Sequence, residues 1–115
     1  MAFRVISCDG SSRLVQPAGK QTLDDLRSAI GNWIQLIRTN NKHNIVVFVD
    51  EEGILRRKPP NPVASAVARE LGWEGFVLRG PVVFTNGNEG EPLTAAQDRV
   101  LVDAVAAASE AGKGQ

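Results

Sequence analysis

The sequence predicts a single α+β domain with a largely antiparallel sheet of four to six strands and three helices. Strand-like and helix-like segments follow one another in the order β-β-α-β-β-α-β-α, and each pair of strands is followed by a helix. No repeat or linker divides the 115 residues. A chain of this length buries about two-thirds of its surface on folding. We therefore expect residues 1–109 to form the domain and residues 110–115 to be a disordered tail.

The N-terminal elements are predicted to be a hairpin followed by a helix. The segment FRVISC, residues 3–8, alternates between two faces, and Asp9-Gly10 behind it is a strong turn signal because glycine accepts a positive φ. RLVQ, residues 13–16, then forms the return strand. TLDDLRSAIG, residues 22–31, begins with a capping threonine and ends in glycine, which predicts the first helix.

A second hairpin and a second helix follow. WIQLIRT and NIVVFVDEE are strand-like and are separated by the polar loop TNNKHN. The second of these strands is apolar on both faces, which indicates a central strand covered on both sides, or a strand covered by a partner chain. NPVASAVARELG predicts a helix with Asn61 as its cap, Pro62 at its first position and Gly72 at its end.

The C-terminal part is predicted to contain one more strand and the third helix. GFVLRGPVVFTN is one strand, or two pieces interrupted at Gly80-Pro81. Because proline cannot donate to a strand ladder, this interruption implies an edge strand, a bulge or a bend. LTAAQDRVLVDAVAAASEA predicts a helix, since Thr94 and Gln97 have the spacing of a capping box.

The composition argues against several classes of function. Thirteen basic and thirteen acidic residues cancel, and Phe and Trp are few, so a nucleic-acid partner has little support. No apolar run suits a membrane span or a signal peptide, so we expect no membrane partner and a cytoplasmic location. The lone cysteine, Cys8, is expected to pack in the first strand. With His43 as the lone histidine, a structural zinc site is not expected, and neither is another cofactor.

Four short motifs, which lie within residues 31–84, carry a family resemblance. They are GNWIQLI, VDEEGIL, KPPNPVA and VLRGPVVF. In this order they resemble an uncharacterised family of small proteins from bacteriophages and actinobacteria, a domain of unknown function with an Asn-Glu-x-Gly strand end and a Leu-Pro-x-Asn helix start. The resemblance implies a phage or prophage origin and the host-cell cytoplasm, but no activity. Asp50 stands where the family usually has Asn and Ile54 where Lys is common, so roles of those two groups do not carry over.

The basic part of the segment FVDEEGILRRKPPNP is a candidate anion site. Arg56, Arg57 and Lys58 precede the helix that begins after Asn61. Arginine forks onto phosphate, and a helix N-terminus offers free backbone N–H groups and a positive dipole. The alternative is a solvated loop whose charges pair with the neighbouring acids at little net gain.

The acidic part of this segment and three other side chains complete the candidate residues. Asp50, Glu51 and Glu52 offer oxygen ligands for Mg²⁺ or Ca²⁺, but adjacent strand residues point to opposite faces, so the alternative is a solvated turn of residues 51–53. Arg79 lies within an apolar strand, where its charge needs an edge, a partner or a ligand. Trp33 and Trp73 are expected to be core or interface residues.

These residues contain no set of three side chains that could act together in catalysis, so we expect a protein that is not an enzyme. The favoured function is that of a phage-type accessory protein that binds a host protein. The second hypothesis is a protein that sequesters a nucleotide or another small anion at residues 56–61. The third is a metal-dependent hydrolase that uses the acidic turn. A homodimer would give the IVVFV strand and the edge of the GFVLRGPVVF strand more cover, and a well-covered monomer is the alternative.

Overall fold

A five-stranded antiparallel sheet is the scaffold of the described residues, which are 2–16, 30, 34–39, 41–52, 57–88 and 91–113 of this computed structural model. The sheet has the order β2-β1-β5-β4-β3. Its strands are β1 (Phe3–Ile6), β2 (Ser12–Val15), β3 (Ile34–Ile37), β4 (Ile45–Asp50) and β5 (Val82–Asn86). The α+β class and the antiparallel sheet of four to six strands are confirmed.

Two helices lie within the described part of the chain, α1 (Pro62–Glu70) and α2 (Ala95–Lys113). The sequence predicted three. The first predicted helix, residues 22–31, lies outside the described residues except for Ile30. The sequence also placed a disordered tail from residue 110 onward, whereas α2 continues to Lys113. Neither helix combines the length and the apolar character that a membrane crossing requires.

Both predicted hairpins are present. In the first, β1 pairs with β2, and Gly10 in the connecting turn has a φ of +89°. Asp9 accepts hydrogen bonds from the side chain and the backbone N–H of Ser11, which lower the pKa of its carboxyl group below the ordinary value. In the second hairpin, β3 pairs with β4. Cys8 lies in the turn after β1 and is half-buried, so its predicted place within the strand is wrong.

The last strand lies in the middle of the sheet. β5 pairs with β1 on one side and with β4 on the other. The expectation that this segment forms an edge is therefore wrong. The expected bend is present, because Gly80 has a φ of +74° and the strand begins only at Val82. Pro81 precedes the ladder, so its missing N–H interrupts no strand pairing.

Apolar side chains cover both faces of the sheet, as the pattern of β4 predicted. The face that carries both helices, here called the helix face, holds the larger core, whose members include Ile6, Val47, Val67, Phe84 and Leu101. The opposite face holds a smaller cluster of Phe3, Val5, Ile30 and Val83.

Two polar contacts attach α2 to the sheet side of the molecule. The guanidinium of Arg4 on β1 forms a two-pronged ion pair with Asp98, with N–O distances of 2.6 and 3.0 Å. Thr94 and Gln97 form the predicted capping box. The Gln97 amide also donates to the carbonyl oxygens of residues 43 and 44, so the start of α2 is tied to the turn between β3 and β4.

Candidate functional site

The chain segment that leads into α1 lies beside the segment that leads into β5. Pro60 and Arg79 form an antiparallel bridge. The N–H of Asn61 donates to the Leu78 carbonyl at 2.8 Å, and the N–H of Gly80 donates to the Pro59 carbonyl at 2.9 Å. The KPPNP motif is therefore one side of a short two-stranded element at the end of the sheet.

Asn61 is the central residue of this element and has no solvent-exposed surface. Its amide nitrogen donates to the carbonyl oxygens of Ile6 and Gly80, each at 2.9 Å. Its side-chain oxygen accepts from the N–H of Ala64 at 3.1 Å, which is the predicted helix cap. Asn61 thus joins β1, the bend before β5 and the start of α1.

Two backbone N–H groups at the start of α1 already have hydrogen-bond partners within the protein. The N–H of Ala64 is bound by the Asn61 side chain, the N–H of Ser65 donates to the Asn61 carbonyl at 3.0 Å, and Pro62 has no N–H. The Ser65 hydroxyl also donates to the Asn61 carbonyl and accepts from the N–H of Leu78. The predicted anion site depended on free backbone donors at this end, and these two donors already have partners.

Asp50 and Lys58 form an internal ion pair. The Asp50 side chain is 1% exposed, and its Oδ2 lies 2.5 Å from Lys58 Nζ. Asp50 Oδ1 accepts from the N–H of Glu52 at 2.8 Å. Lys58 Nζ also donates to the carbonyl oxygen of Ile30 at 2.7 Å, on the opposite face. Asp50 is thus buried at the end of β4, whereas Glu51, in the predicted solvated turn that follows, is exposed.

The acidic turn does not bring its carboxylates together. Asp50 points into the protein and Glu51 points out, as expected for neighbours at the end of a strand. Within the described ranges, no group of three or more His, Cys, Asp or Glu side chains is arranged to hold a metal ion.

The two arginines of the described site have different surroundings. Arg57 is exposed and has a φ of +53°. Arg79 is half-buried, and its Nη1 donates to the Lys58 carbonyl at 3.0 Å. This bond fixes the guanidinium beside Lys58, so Arg79 belongs to the site although it is distant in sequence. Arg56 and Trp33 lie outside the described residues.

An exposed aromatic turn, residues 73–77, follows α1. Gly72 ends the helix as predicted, with a φ of +99°, and the N–H of Trp73 donates to the Ala68 carbonyl at 3.0 Å. The Trp73 indole packs against the core and meets the Phe76 ring edge-to-face, with ring centroids 5.6 Å apart. Phe76 is 54% exposed and Val77 is 42% exposed. Sequence reasoning missed Phe76, because GFVLRG has the alternation of a strand.

A shallow depression separates the aromatic turn from β3. It has a volume of about 40 Å³, and we call it the edge depression. It is lined by Gln35, Val49, Asp50, Glu51, Phe76, Val77, Leu78 and Arg79. Pockets for drug-sized ligands have about 300–1,000 Å³. The edge depression is therefore large enough for one side chain of a partner, but not for a nucleotide.

The structure therefore divides the predicted site residues into two groups. Asp50, Glu51 and Arg79 line the edge depression, and Trp73 supports its aromatic wall. Lys58 and Asn61 lie behind this surface, where they hold the chain segments in place.

The comparisons with known proteins identify a family. A family profile described as a domain of unknown function (DUF3846) matches residues 3–105, and the chain belongs to this family. No curated protein and no solved structure matches the chain. The predicted membership of an uncharacterised family is thus confirmed, and the phage or actinobacterial origin stays a prediction.

The Asn61→Ala substitution is expected to lower the free energy of unfolding by about 3 kcal/mol, because buried carbonyls of β1 and the Gly80 bend lose their donor. Thr94→Ala is the matched control, since it removes an ordinary exposed helix cap that contributes about 1 kcal/mol. Urea unfolding followed by circular dichroism measures both. Equal losses in the two variants would contradict the central role of Asn61.

The Lys58→Met substitution is expected to lower the free energy of unfolding by about 3 kcal/mol, because it removes the ammonium group that contacts the buried Asp50 carboxylate. Adding Asp50→Asn to Lys58→Met should restore much of this loss, since the buried carboxylate is then replaced by an uncharged amide. Arg57→Met serves as the control, because it removes an exposed neighbouring cation. The prediction fails if Lys58→Met unfolds at the same urea concentration as the wild type.

Proposed function

We propose that this member of the DUF3846 family is a non-enzymatic accessory protein of phage type that binds a host protein. The binding surface is the aromatic turn together with the edge depression. The observation that carries this proposal is a fixed aromatic side chain, Phe76, which stands 54% exposed beside a depression of side-chain size. The phage origin and the host-cell cytoplasm rest on the sequence resemblance.

Phe76 is held in position before any partner arrives. Trp73 Nε1 donates to the Phe76 carbonyl at 3.0 Å, and the two rings are nearly perpendicular, at 88°. The indole lies so close over Gly75 that a Cβ there would be 2.2 Å from the ring. A side chain that is already ordered loses little conformational entropy on binding. The aromatic residues Phe, Tyr and Trp contribute much of the binding energy of protein interfaces.

The distribution of exposed apolar residues supports the same surface. The described residues have five exposed large hydrophobic side chains, and only Phe76 and Val77 among them are neighbours in sequence. Leu36, 41% exposed, is the neighbour of Gln35 on β3 and therefore lies on the other face of the sheet, away from the depression. Fully burying a Phe or Val side chain contributes about 1.5–3 kcal/mol, so a partner that covers this pair gains substantial affinity.

The two other hypotheses receive less support. A nucleotide would need a larger pocket than the edge depression. Lys58 is already neutralised by Asp50, and Asn61 is buried, which leaves Arg57 as the exposed described cation of the proposed anion site. A hydrolase would need carboxylates that converge, and Asp50 and Glu51 diverge.

Affinity capture with surface variants tests the proposal. The wild-type chain is expected to retain one stoichiometric partner from a host lysate. Phe76→Ser/Val77→Ser should reduce the recovered partner at least tenfold, because the partner loses its apolar contact. Leu14→Ser/Val102→Ser is the matched control: Leu14 is 40% exposed, Val102 is 41% exposed, and both lie on other elements. Thermal unfolding of each variant verifies that it is folded.

Two outcomes would contradict protein binding at this surface. One is a partner retained equally by both double variants. The other is a purified protein with excess absorbance at 260 nm and a nucleotide in its native mass spectrum that disappears with Arg57→Ala. The second result would favour the anion hypothesis.

A further inference from the structure

We infer that the partner binds as an extended peptide segment that lies along β3, inserts an aliphatic side chain into the edge depression and presents a carboxylate to Arg79. This inference rests on the proposed function, because it uses the same surface. It adds the conformation of the bound segment and the chemistry of two of its side chains.

The first support is the position of β3. This strand pairs with β4 on its inner side, and no described strand pairs with its outer side. The outward N–H and C=O groups of an edge strand are a template for an additional strand. Extended peptides commonly bind in this way, with main-chain hydrogen bonds for affinity and pockets for alternate side chains.

The second support is the place and size of the edge depression. Gln35 on β3 is paired with Val49 on β4, and both line the depression on the helix face. An added strand would therefore direct every second side chain toward it. A volume of about 40 Å³ holds roughly three water molecules. That is about the size of one branched aliphatic side chain, and Phe76, Val77 and Leu78 form an apolar wall for it.

The third support is the charge of Arg79. Arg79 Nη1 donates to the Lys58 carbonyl oxygen, and this bond orients the guanidinium. Among the described residues, no carboxylate forms an ion pair with Arg79. A half-buried cation is favourable where a partner supplies the anion, and a hydrogen-bonded guanidinium–carboxylate pair is among the stronger polar contacts. Glu51 lines the same depression and is exposed. We therefore expect a basic residue of the peptide near Glu51, in addition to the acid at Arg79.

A second copy of this chain fits the surface less well. β3 has four residues, so two such strands would pair over about 13 Å and bury far less than the roughly 1,200 Å² of a stable interface. A second β3 would also bring Gln35 and Ile37 to the helix face. Ile37 is 6% exposed because it packs in its own core, so the second copy would present the polar Gln35 to the apolar wall of the depression.

The test uses random peptides of about twelve residues displayed on phage and selected on the full-length chain. We expect the selected peptides to contain an aliphatic residue close to Asp or Glu. Their affinity should fall at least tenfold with Arg79→Gln and should change less than twofold with Arg57→Gln, the same loss of charge on an exposed neighbour. Changing Glu to Gln in the peptide should reproduce the loss, and it leaves the protein unaltered. Hydrogen exchange should slow at alternate amides of β3.

Several results would overturn the inference. Peptides that bind the Arg79→Gln variant as tightly as the wild type, or that slow exchange in β2 or α2 instead of β3, would do so. A sedimentation-detected dimer that dissociates with Leu36→Lys would assign the edge to a second copy. If no peptide is selected while the host partner is still captured through Phe76 and Val77, the extended segment is rejected and the proposed function stands.

Discussion

The buried side chain of Asn61 is the contact on which the rest of this structure depends. The Asn61 side-chain amide forms hydrogen bonds with three chain segments that are far apart in sequence: β1, the start of α1 and the bend before β5. Its partners are buried backbone groups. Leaving one such group without a hydrogen bond lowers the free energy of unfolding by about 1–3 kcal/mol. An aliphatic residue cannot replace it, because the position needs two donors and one acceptor. These hydrogen bonds set the orientation of α1 and therefore of the aromatic turn that follows it.

The ion pair of Lys58 and Asp50 extends this constraint to the other face of the sheet. Lys58 reaches the Ile30 carbonyl, and Ile30 belongs to the smaller core. Its aliphatic stem passes the Gly80 bend so closely that a Cβ at residue 80 would lie 2.8 Å from Lys58 Cδ. The Lys58 carbonyl then holds Arg79. One residue thus connects the buried charge, the bend and the cation at the rim of the edge depression.

Local signals in the sequence predicted the elements, but not how they meet. Asn61 and Gly72 were recognised as the ends of a helix because caps depend on neighbouring residues. The amide of Asn61 has partners 55 and 19 residues away, and no local pattern contains that information. Pro81 suggested an edge strand, although it stands just before the central one. Phe76 was assigned to a strand for a similar reason, since alternation cannot distinguish a buried strand from a turn that exposes its apolar residues.

The charge at residue 50 decides which surface this end of the molecule offers. An uncharged amide at this position would leave the Lys58 ammonium without the carboxylate that it now contacts. Such a lysine would add to Arg57 and Arg79, and the loop would favour an anion. With Asp50, the ammonium is neutralised inside the protein. The edge depression then offers an oriented guanidinium, an exposed carboxylate at Glu51 and an apolar wall beside an aromatic ring, and this combination suits a peptide better than a phosphate group.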